Sequence, residues 1–149
     1  MKTVKWVLPA LKFLTKDTHM SKVALVTGGT GGIGSAVCKR LASEGFKVIS
    51  TYFEPEEQAK AWAAKQDFQV GLYHCNVSDY DSCVKLKDAI AADGLTVDVI
   101  VNNAGITRDA KFTKMTPDMW RAVISTNLDS LFNISHQFVE GMSERGWGR

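Results

Sequence analysis

Apolar runs of strand length alternate along most of this chain with longer amphipathic stretches of helix length. The short runs predict strands near 22–27, 47–51, 70–75 and 97–102, and the stretches between them predict helices near 33–44, 55–65 and 80–92. Strands that alternate with helices in this way form parallel sheets with helices packed against them. The pattern therefore predicts an α/β fold with a doubly wound, Rossmann-type parallel sheet.

After the fourth predicted strand the pattern becomes mainly helical. It predicts a short helix near 116–120 and a longer one from about 121 to 145, which buries a broad apolar stripe. The stripe consists of Leu128, Leu131, Phe132, Phe138, Val139 and Met142. Gly146 is typical of a helix end, and the alternation then predicts a fifth strand. Because the sequence stops at Arg149, we expect a sheet truncated before that strand.

Composition indicates one globular domain. The chain has 149 residues, of which 45% are apolar and 23% are charged. A net charge of +2 without a basic face argues against nucleic acid as a partner. The three cysteines form no Cys-x-x-Cys pair, which predicts a reducing, cytoplasmic location and no metal site.

Residues 1–20 do not follow the alternating pattern. Pro9 and Lys12 interrupt the apolar centre that a secretory signal needs, and Pro9 also weakens the alternative of an interfacial helix. We interpret residues 1–20 as a leader or non-native extension ahead of Met20. They carry no firm membrane signal.

The most informative segment runs from Thr27 to Gly34, directly after the first predicted strand. A glycine turn that leads into a helix brings backbone amides and the positive end of the helix dipole against a pyrophosphate. Gly28 suits the tight turn, while Gly32 and Gly34 remove Cβ atoms that would block the phosphates or the packing of the helix on the strand. The helix that follows has apolar residues one turn apart, at Ile33, Val37 and Leu41.

Two alternatives compete with dinucleotide binding at this loop. The spacing of Gly29 and Gly34 fits the phosphate loop of nucleoside triphosphatases, but Ser35 stands where that loop requires a lysine. The other alternative is a glycine-rich turn without a ligand. Residues further along the chain count against it.

Three motifs in a fixed order resemble the short-chain dehydrogenase/reductase family. They are the glycine loop, the segment Asn102-Asn103-Ala104-Gly105 after the fourth predicted strand, and Asn127 in the long helix. The resemblance covers about residues 20–149 and implies that 21–149 is the N-terminal part of a dinucleotide-binding reductase domain. Within the family, segments 105–109, 114–116 and 145–149 resemble the acetoacetyl-CoA reductases of polyhydroxyalkanoate synthesis.

The resemblance implies a nicotinamide dinucleotide as cofactor. It places Asn103 to Thr107 at the nicotinamide end, where the residues alone indicate only a polar turn. By the same resemblance, Asn76 and Val77 contact the adenine, and Tyr52 occupies the position that distinguishes NAD from NADP in the family. The full set is Gly28, Gly31, Gly32, Ile33, Gly34, Tyr52, Asn76, Val77, Asn103, Ala104, Gly105, Ile106 and Thr107.

The choice of cofactor depends on the end of the second strand. An acidic residue there accepts a hydrogen bond from the ribose 2′-hydroxyl and selects NAD. Tyr52 is neither acidic nor basic, which together with the resemblance favours NADPH. Three acids, Glu54, Glu56 and Glu57, follow Tyr52 closely, and no arginine is near, so NADH is also possible. Acids at the start of a helix, however, often only interact with the helix dipole.

Asn127 is the single catalytic residue that the resemblance assigns. In the family, the nicotinamide supplies a hydride to a ketone, a tyrosine donates the proton, a lysine lowers the pKa of that tyrosine, a serine orients the carbonyl and an asparagine holds a water. Asn127 matches the asparagine. By residue type alone, a polar side chain in a helix often just bonds locally.

No tyrosine of this chain forms the Tyr-x-x-x-Lys pair that places both side chains on one helix face. Tyr52, Tyr73 and Tyr80 are the three tyrosines, and none has a lysine four positions later. The resemblance therefore places the catalytic Ser, Tyr and Lys after Arg149. We expect the 149-residue chain to be inactive by itself.

Taken as a whole, the resemblance implies NADPH-dependent reduction of acetoacetyl-CoA to 3-hydroxybutyryl-CoA. Asp109 matches a position that contacts the acyl-CoA thioester, although an aspartate after an arginine also fits a solvated pair. Two alternatives stay open: a 3-oxoacyl-[acyl-carrier-protein] reductase, and a nucleotide-binding or interaction module without turnover. The family commonly forms tetramers, so we expect a homotetramer of the full-length enzyme. A chain whose long helix is not covered by more sheet or by a sister subunit would expose apolar surface or fail to fold.

Overall fold

A computed structural model describes residues 21–149 of the chain. The expected leader at residues 1–20 lies outside the described residues. The division of the chain at residue 20 therefore stays a prediction.

The described residues form an alternating series of strands and helices. The strands are β1 (Val23–Val26), β2 (Lys47–Tyr52), β3 (Val70–His74) and β4 (Val97–Val101). The helices are α1 (Gly32–Ser43), α2 (Glu56–Ala63), α3 (Tyr80–Ala92), α4 (Pro117–Ile124) and α5 (Ser130–Glu144), with a 3-10 turn at Phe112–Lys114 and a π-helical segment at Ser125–Asp129. The first seven elements lie where the apolar pattern predicts them, with boundaries that differ by at most two residues.

The four strands form one parallel sheet in the order β3-β2-β1-β4. The chain first adds strands on one side of β1 and then crosses to place β4 on the other side. In open sheets of this kind, ligands bind beyond the carboxyl ends of the strands at the point where the order reverses. That point lies between β1 and β4, which are followed by the glycine loop and by Asn102.

Two apolar clusters, one on each face of the sheet, hold the helices in place. On one face, Ile90 of α3 and Ile134 of α5 pack with Leu25 and Ile49 of the sheet. On the other face, residues of α1 and α2, including Cys38, pack against β-strand residues such as Val26 and Val48. Helices on both faces confirm the doubly wound architecture.

The C-terminal helical region corrects the predicted long helix. The chain is helical without a break from Pro117 to Glu144, which agrees with the helix predicted over about 121–145, but the helix is not regular, because the π-helical segment Ser125–Asp129 lies between α4 and α5. A π segment accommodates extra residues and rotates everything after it relative to the regular helical repeat. Positions in α5 are therefore offset in phase from those in α4.

The predicted apolar stripe is only partly buried. Phe138 and Met142 lie in the core, as predicted, together with Ile134. The other members of the stripe, Leu128, Leu131, Phe132 and Val139, are exposed. The buried face instead includes Asn133 and Gln137, whose amide groups donate to the carbonyls of Val77 (3.0 Å) and Asn133 (3.1 Å). These hydrogen bonds make burial of the polar side chains tolerable.

A similar correction applies at the start of α1. Ile33 is 77% exposed, whereas Val37 and Leu41 pack against the core as predicted. The buried positions of this helix are Gly34 and Cys38. Ile33 lies in the first turn, where the helix faces the cleft described below rather than the sheet.

Arg149 pairs with the free edge of β4. Its amide donates to the carbonyl of Asp98 at 3.1 Å, and its carbonyl accepts from the amide of Ile100 at 2.8 Å. Two bonds that flank a single residue of the partner strand are the repeating pattern of a parallel ladder. The last residue of the sequence thus occupies the position of a strand next to β4.

The helices of the described region offer no candidate for a membrane span, since none combines sufficient length with sufficient apolar character.

Candidate functional site

The glycine loop begins with a tight turn directly after β1. Gly28 has a φ of +63°, a conformation that favours glycine, and the amide of Gly31 donates to its carbonyl at 3.2 Å. A Cβ on Gly28 would lie 3.1 Å from Cα of Ala104, so the backbone after β4 also approaches it closely. The predicted role of Gly28 in the turn is confirmed by this geometry.

The N-terminus of α1 lacks the groups that usually neutralise a helix start. Its N-cap, Gly31, has no side chain to accept from the free amides, and the first turn carries no acidic residue. By contrast, Thr116 caps α4 by accepting from the amide of Met119 at 3.2 Å, and Asp118 lies in that first turn. The amides and the positive dipole end of α1 are therefore open to an anion.

The remaining glycines of the loop differ in what surrounds them. A Cβ on Gly34 would stand 2.4 Å from the carbonyl oxygen of Gly28 and 2.7 Å from Nδ2 of Asn103, so close packing requires glycine there. A Cβ on Gly32 would meet nothing within 4 Å. Gly34 thus serves packing, and Gly32 leaves space at the helix start.

Sequence reasoning considered Gly29 only for the phosphate-loop alternative, but the packing around this residue also favours glycine. A Cβ there would lie 2.3 Å from Oγ of Ser50 and 2.8 Å from Sγ of Cys38. In the sequence, this close approach of Gly29 to the neighbouring strand is indicated only by the small size of Ser50.

Thr27 joins the glycine loop to the segment after β4. Its hydroxyl accepts from the amides of Asn103 (2.9 Å) and Ala104 (3.0 Å). In return, Nδ2 of Asn103 donates to the carbonyls of Thr27 (2.8 Å) and Gly28 (3.1 Å). The side chain of Asn103 therefore holds the two loops together, and Thr27 is a positioning residue that sequence reasoning did not single out.

Asn127 lies in the π-helical segment and reaches across to the same loop. Its Oδ1 accepts from the amide of Ile106 at 2.8 Å, and its Nδ2 donates to the carbonyl of Ile106 at 2.9 Å. The side chain thus bonds to a residue 21 positions away, not within its own helix. This fixes the loop that follows β4.

These loops surround a cleft of about 740 Å³, within the usual range of ligand pockets. The structure brings together at its wall twelve of the predicted cofactor residues: Gly28, Gly31, Gly32, Ile33, Gly34, Tyr52, Asn76, Val77, Asn103, Ala104, Gly105 and Ile106. Sequence reasoning missed the lining residues Thr30, Thr51, Phe53, Glu54, Cys75, Ser78, Arg108 and Thr126 as members of the site.

Thr107, Asp109 and Asn127 are not among the lining residues. The carbonyl of Thr107 accepts from Nη1 of Arg108 at 2.8 Å, and Asp109 is exposed. Contact of Thr107 with a cofactor and of Asp109 with a substrate stay predictions. Asn127 acts on the cleft indirectly, through its two hydrogen bonds to the backbone of Ile106, which lines the cleft.

The carboxyl ends of β2 and β3 form the opposite end of the cleft. Tyr52 is buried against the ring of His74, with the ring centroids 5.4 Å apart in an edge-on arrangement. Oδ1 of Asn76 accepts from the amide (3.2 Å) and hydroxyl (2.8 Å) of Ser78, which closes a turn. Val77 is buried beside this turn. Aromatic and apolar surface thus lies next to a rigid polar turn.

Glu54 and Arg108 are the only charged residues among those that line the cleft in the described part of the chain. Partial burial opposes the ionisation of Glu54, but hydrogen bonds from Thr30 and from backbone amides, with the charge of His74, lower its pKa overall. Glu54 is therefore an anion in the cleft at neutral pH.

Ser35 explains why the phosphate-loop alternative fails in three dimensions. Its hydroxyl accepts from Nε1 of Trp62 at 3.1 Å, so it points towards α2, and it is not part of the cleft wall. A side chain that reached phosphates from this position would have to turn away from α2.

Neither Tyr73 nor Tyr52 has the environment of a proton donor with a lowered pKa. Tyr73 is buried and donates to Asp93 at 2.8 Å, and burial together with that carboxylate raises its pKa. Burial and the charge of Glu56 also raise the pKa of Tyr52. Tyr80 pairs with Nδ1 of His136 at 3.0 Å, outside the cleft.

The three cysteines are buried free thiols. The sulfurs of Cys75 and Cys83 lie 3.9 Å apart. Hydrogen bonding from Cys83 lowers the pKa of Cys75, whereas burial raises the pKa of Cys38 to about 12. Over residues 21–149, no group of His, Cys, Asp or Glu side chains is arranged to hold a metal ion.

The described residues match a known protein family and several characterised relatives. The sequence pattern of the family described as short chain dehydrogenase matches residues 22–149. An acetoacetyl-CoA reductase of Rhizobium meliloti is 49% identical over 130 residues, and that of Cupriavidus necator is 46% identical over 131 residues. A 3-oxoacyl-[acyl-carrier-protein] reductase of Haemophilus influenzae is 38% identical over 128 residues.

These matches cover 86–87% of this chain but only 52–53% of each relative. The chain thus spans about half the length of the curated relatives it matches.

Solved structures show the same fold. A variant of actinorhodin polyketide ketoreductase with NADPH is 33% identical and superposes with a TM-score of 0.80, over 87% of this chain and 51% of that one. A metagenomic short-chain oxidoreductase in complex with NADP is 30% identical, with a TM-score of 0.76, over 85% of this chain and 59% of that one. With the family pattern matched from residue 22 to residue 149, the chain belongs to the short chain dehydrogenase family.

Proposed function

We propose that this chain is the nucleotide-binding part of an oxidoreductase that reduces acetoacetyl-CoA to 3-hydroxybutyryl-CoA with a reduced nicotinamide dinucleotide. The observation that carries the proposal is the uncapped N-terminus of α1, which opens into the cleft at the switch point of the sheet. The names of the relatives at 46–49% identity support the substrate.

The described residues fit a nicotinamide dinucleotide. The amides at the start of α1 would hold the pyrophosphate, and the open space at Gly32 lets it approach the backbone. Tyr52, Asn76 and Val77 would contact the adenosine half, and Gly105 and Ile106 the nicotinamide half. When bound, the nicotinamide supplies the hydride, and the protein supplies orientation.

Asn127 and Asn103 act as positioning residues in this proposal. Asn127 fixes Ile106 through two hydrogen bonds, and Asn103 fixes the glycine loop through its amide nitrogen. Both keep the backbone of the cleft in one conformation before the cofactor arrives. Preorganised backbone lowers the cost of binding.

Turnover is proposed to need more than residues 21–149. A reductase of this type needs a proton donor in the cleft, and Tyr52 is buried with a raised pKa. The resemblance assigns the donor, its lysine and the carbonyl-orienting serine to positions after Arg149. The 149-residue chain is thus proposed to bind the cofactor without reducing a ketone.

A 3-oxoacyl-[acyl-carrier-protein] reductase is the second candidate, supported by the relative from Haemophilus influenzae at 38% identity. A module that binds nucleotide without turnover is the third. The three differ in the carrier that they accept and in whether any thioester is reduced.

The exposed apolar side chains Leu128, Leu131, Phe132 and Val139 support the expectation of a homotetramer, because they form a surface that a sister subunit could cover. Buried free thiols fit the reducing cytoplasm that we propose as its location.

A chimera tests the activity. Residues 1–149 are joined to the C-terminal half of the Rhizobium meliloti enzyme, and kcat/KM is measured for acetoacetyl-CoA and for acetoacetyl-carrier protein. We expect reduction of the CoA thioester with the higher kcat/KM. Preference for the carrier protein would favour the second candidate, and a folded chimera that binds nucleotide but reduces neither thioester would favour the third.

A further inference from the structure

Two buried thiols that the proposed function does not use lie side by side where β3 leads into α3. Cys75 directly follows β3, and Cys83 is the fourth residue of α3. Their sulfurs lie 3.9 Å apart. The sulfurs of a disulfide lie about 2.05 Å apart, so a bond between Cys75 and Cys83 requires them to come closer by about 1.9 Å.

Of the two thiols, Cys75 is the one that a small molecule can reach. It lines the cleft beside Asn76 and Val77, although only 2% of its surface is exposed. Cys83 is fully buried and is not among the lining residues. A reagent as small as hydrogen peroxide, entering through the cleft, therefore meets the sulfur of Cys75 first.

Hydrogen bonds also give the two sulfurs different reactivity. The hydrogen bond from Cys83 lowers the pKa of Cys75 against the effect of burial, and Oγ of Ser82, which donates to Sγ of Cys75 at 3.7 Å, lowers it further against the charge of Asp79. The same contact with Cys75, together with burial, raises the pKa of Cys83. Because the thiolate is the nucleophile, Cys75 is the sulfur that attacks first, and Cys83 keeps its proton.

The two cysteines enclose the turn that forms one wall of the cleft. Residues 76–78 lie between them and line the cleft. Sγ of Cys83 donates to the carbonyl of Val77 at 3.7 Å, and that carbonyl also accepts from Nδ2 of Asn133 at 3.0 Å, so it keeps a partner when the thiol is lost. A bond between the sulfurs would draw the ends of this turn together and displace the residues that line the cleft.

On these grounds we propose that Cys75 and Cys83 are a redox switch, in which a hydroperoxide that enters the cleft oxidises the pair to a disulfide and the disulfide weakens dinucleotide binding. The weakening rests on the proposed binding of a nicotinamide dinucleotide, whereas formation of the disulfide does not. In a reducing compartment such a disulfide is transient, because exchange with a small thiol restores both cysteines.

The oxidation has two steps. The thiolate of Cys75 attacks an oxygen of the hydroperoxide, so that an S–O bond forms, the O–O bond breaks and the departing oxygen takes up a proton. Cys75 is then a sulfenic acid, and the hydroperoxide has been reduced to an alcohol or water. The sulfur of Cys83 attacks that of Cys75, the S–S bond forms, the S–O bond breaks, and hydroxide leaves as water with the proton of the Cys83 thiol.

Peptide mapping of the oxidised 149-residue chain tests whether the disulfide forms. The folded, reduced chain is treated with hydrogen peroxide, free thiols are alkylated, and the chain is cleaved before aspartate, because Asp79 and Asp81 lie between the two cysteines. We expect a disulfide between Cys75 and Cys83. Cys38 should stay a free thiol, because it is buried in the apolar cluster on the other face of the sheet.

Calorimetric titration with NADPH and with NADH tests the effect on binding. We expect the oxidised chain to bind at least about tenfold more weakly than the reduced chain, and dithiothreitol should restore the affinity. Saturating dinucleotide should also slow the loss of thiols, since it would cover Cys75 in the cleft.

Two variants separate the pair from the third thiol. In Cys83→Ala the second sulfur is missing, so peroxide should leave Cys75 as a sulfenic acid that dimedone traps. Cys38→Ala is the matched control, because it removes an equally buried thiol outside the cleft. It should form the same disulfide and lose affinity by the same factor within about twofold. Circular dichroism confirms that each variant is folded, and the peptide map of the parent chain needs no variant.

The outcomes separate the switch from the proposed function. Three free thiols after the treatment, a bridge that includes Cys38, or a disulfide between Cys75 and Cys83 with unchanged affinity would overturn the switch and leave the proposed function standing. Saturable binding of neither nucleotide by the folded, reduced chain would overturn the proposed function and the effect on binding with it.

Discussion

Asn127 and Ile106 exchange two hydrogen bonds across the junction of the π-helical segment and the loop after β4. The amide of Ile106 donates to Oδ1 of Asn127 at 2.8 Å, and Nδ2 of Asn127 donates back to the carbonyl of Ile106 at 2.9 Å. A side-chain amide is the only common group that offers one donor and one acceptor in this geometry. The pair ties the wall of the cleft to the start of α5.

Asn127→Asp should therefore destabilise the protein more than its small change of shape suggests. The new carboxylate keeps one acceptor but places a negative oxygen against the carbonyl of Ile106. We expect a loss of about 1–3 kcal/mol in the free energy of unfolding, measured in urea, and faster hydrogen exchange at the amide of Ile106.

Asn102→Asp is the control for that change. Asn102 is exposed and makes one side-chain hydrogen bond, at 3.2 Å, to Ser135. Its stability should change by less than about 0.5 kcal/mol. Equal effects of the two substitutions would show that the pair with Ile106 contributes nothing particular.

Gly34→Ala and Gly32→Ala should separate folding from binding. A Cβ on Gly34 would overlap the carbonyl oxygen of Gly28 at 2.4 Å, so we expect a loss of about 1–3 kcal/mol in stability. A Cβ on Gly32 meets nothing within 4 Å, and alanine is the better helix former, so stability should stay level or rise by up to about 1 kcal/mol.

Gly32→Ala should nevertheless bind nicotinamide dinucleotide about tenfold more weakly, since the methyl group occupies space at the proposed phosphate site. Thermal unfolding and calorimetric titration of both variants check this. A Gly32→Ala variant with parental affinity would place the phosphates elsewhere.

The positions of the strands along the chain and the glycine loop could be predicted from the sequence because both depend on local signals. Apolar runs are bounded by Gly45 and Gly94, which both have positive φ and end helices as expected. The tight turn at Gly28 likewise needs only the residue type.

The parts that could not be predicted depend on contacts between distant segments. The hydroxyl of Thr27 accepts from an amide 76 positions later, and the motif that begins at Thr27 does not reveal this contact. The shift of phase at Ser125–Asp129 offsets α5 from α4, and a regular helical period cannot show it. Glu54 lines the cleft, which the run of acids at 54, 56 and 57 does not reveal.

Thr27→Val tests the hydrogen bonds that connect the glycine loop to the segment after β4. Valine has nearly the shape of threonine but cannot accept from the amides of Asn103 and Ala104, which then stay unpaired in a site where Thr27 is only 2% exposed. We expect a loss of about 2–4 kcal/mol in the free energy of unfolding, together with weaker dinucleotide binding.

Thr27→Ser keeps the hydroxyl and removes only a methyl group. It should recover most of the stability and all of the binding, as followed by urea unfolding and calorimetry. Equal stability and binding of the valine and serine variants would show that the hydroxyl of Thr27 does not connect the two loops.

Tyr73→Phe gives a prediction with a defined dependence on pH. Tyr73 is 4% exposed and donates to Asp93 at 2.8 Å. Burial, the hydrogen bond and the charge of Asp93 raise its pKa above the ordinary value of 10.0, so the folded protein favours the neutral phenol. Its contribution to stability is therefore complete below pH 10.0 and is lost as the pH rises further, because the unfolded chain ionises first.

We expect Tyr73→Phe to lower the free energy of unfolding by about 1 kcal/mol at pH 7, where the hydrogen bond is intact. Above pH 10 the parent should lose stability more steeply than the variant, so that their difference shrinks and then reverses sign. Urea unfolding between pH 7 and pH 11 measures this difference. The contributions of other titrating groups cancel, because they are the same in both proteins. A parallel course of Tyr73→Phe and the parent over this range would mean that the Tyr73 phenol ionises as easily in the folded chain as in the unfolded one.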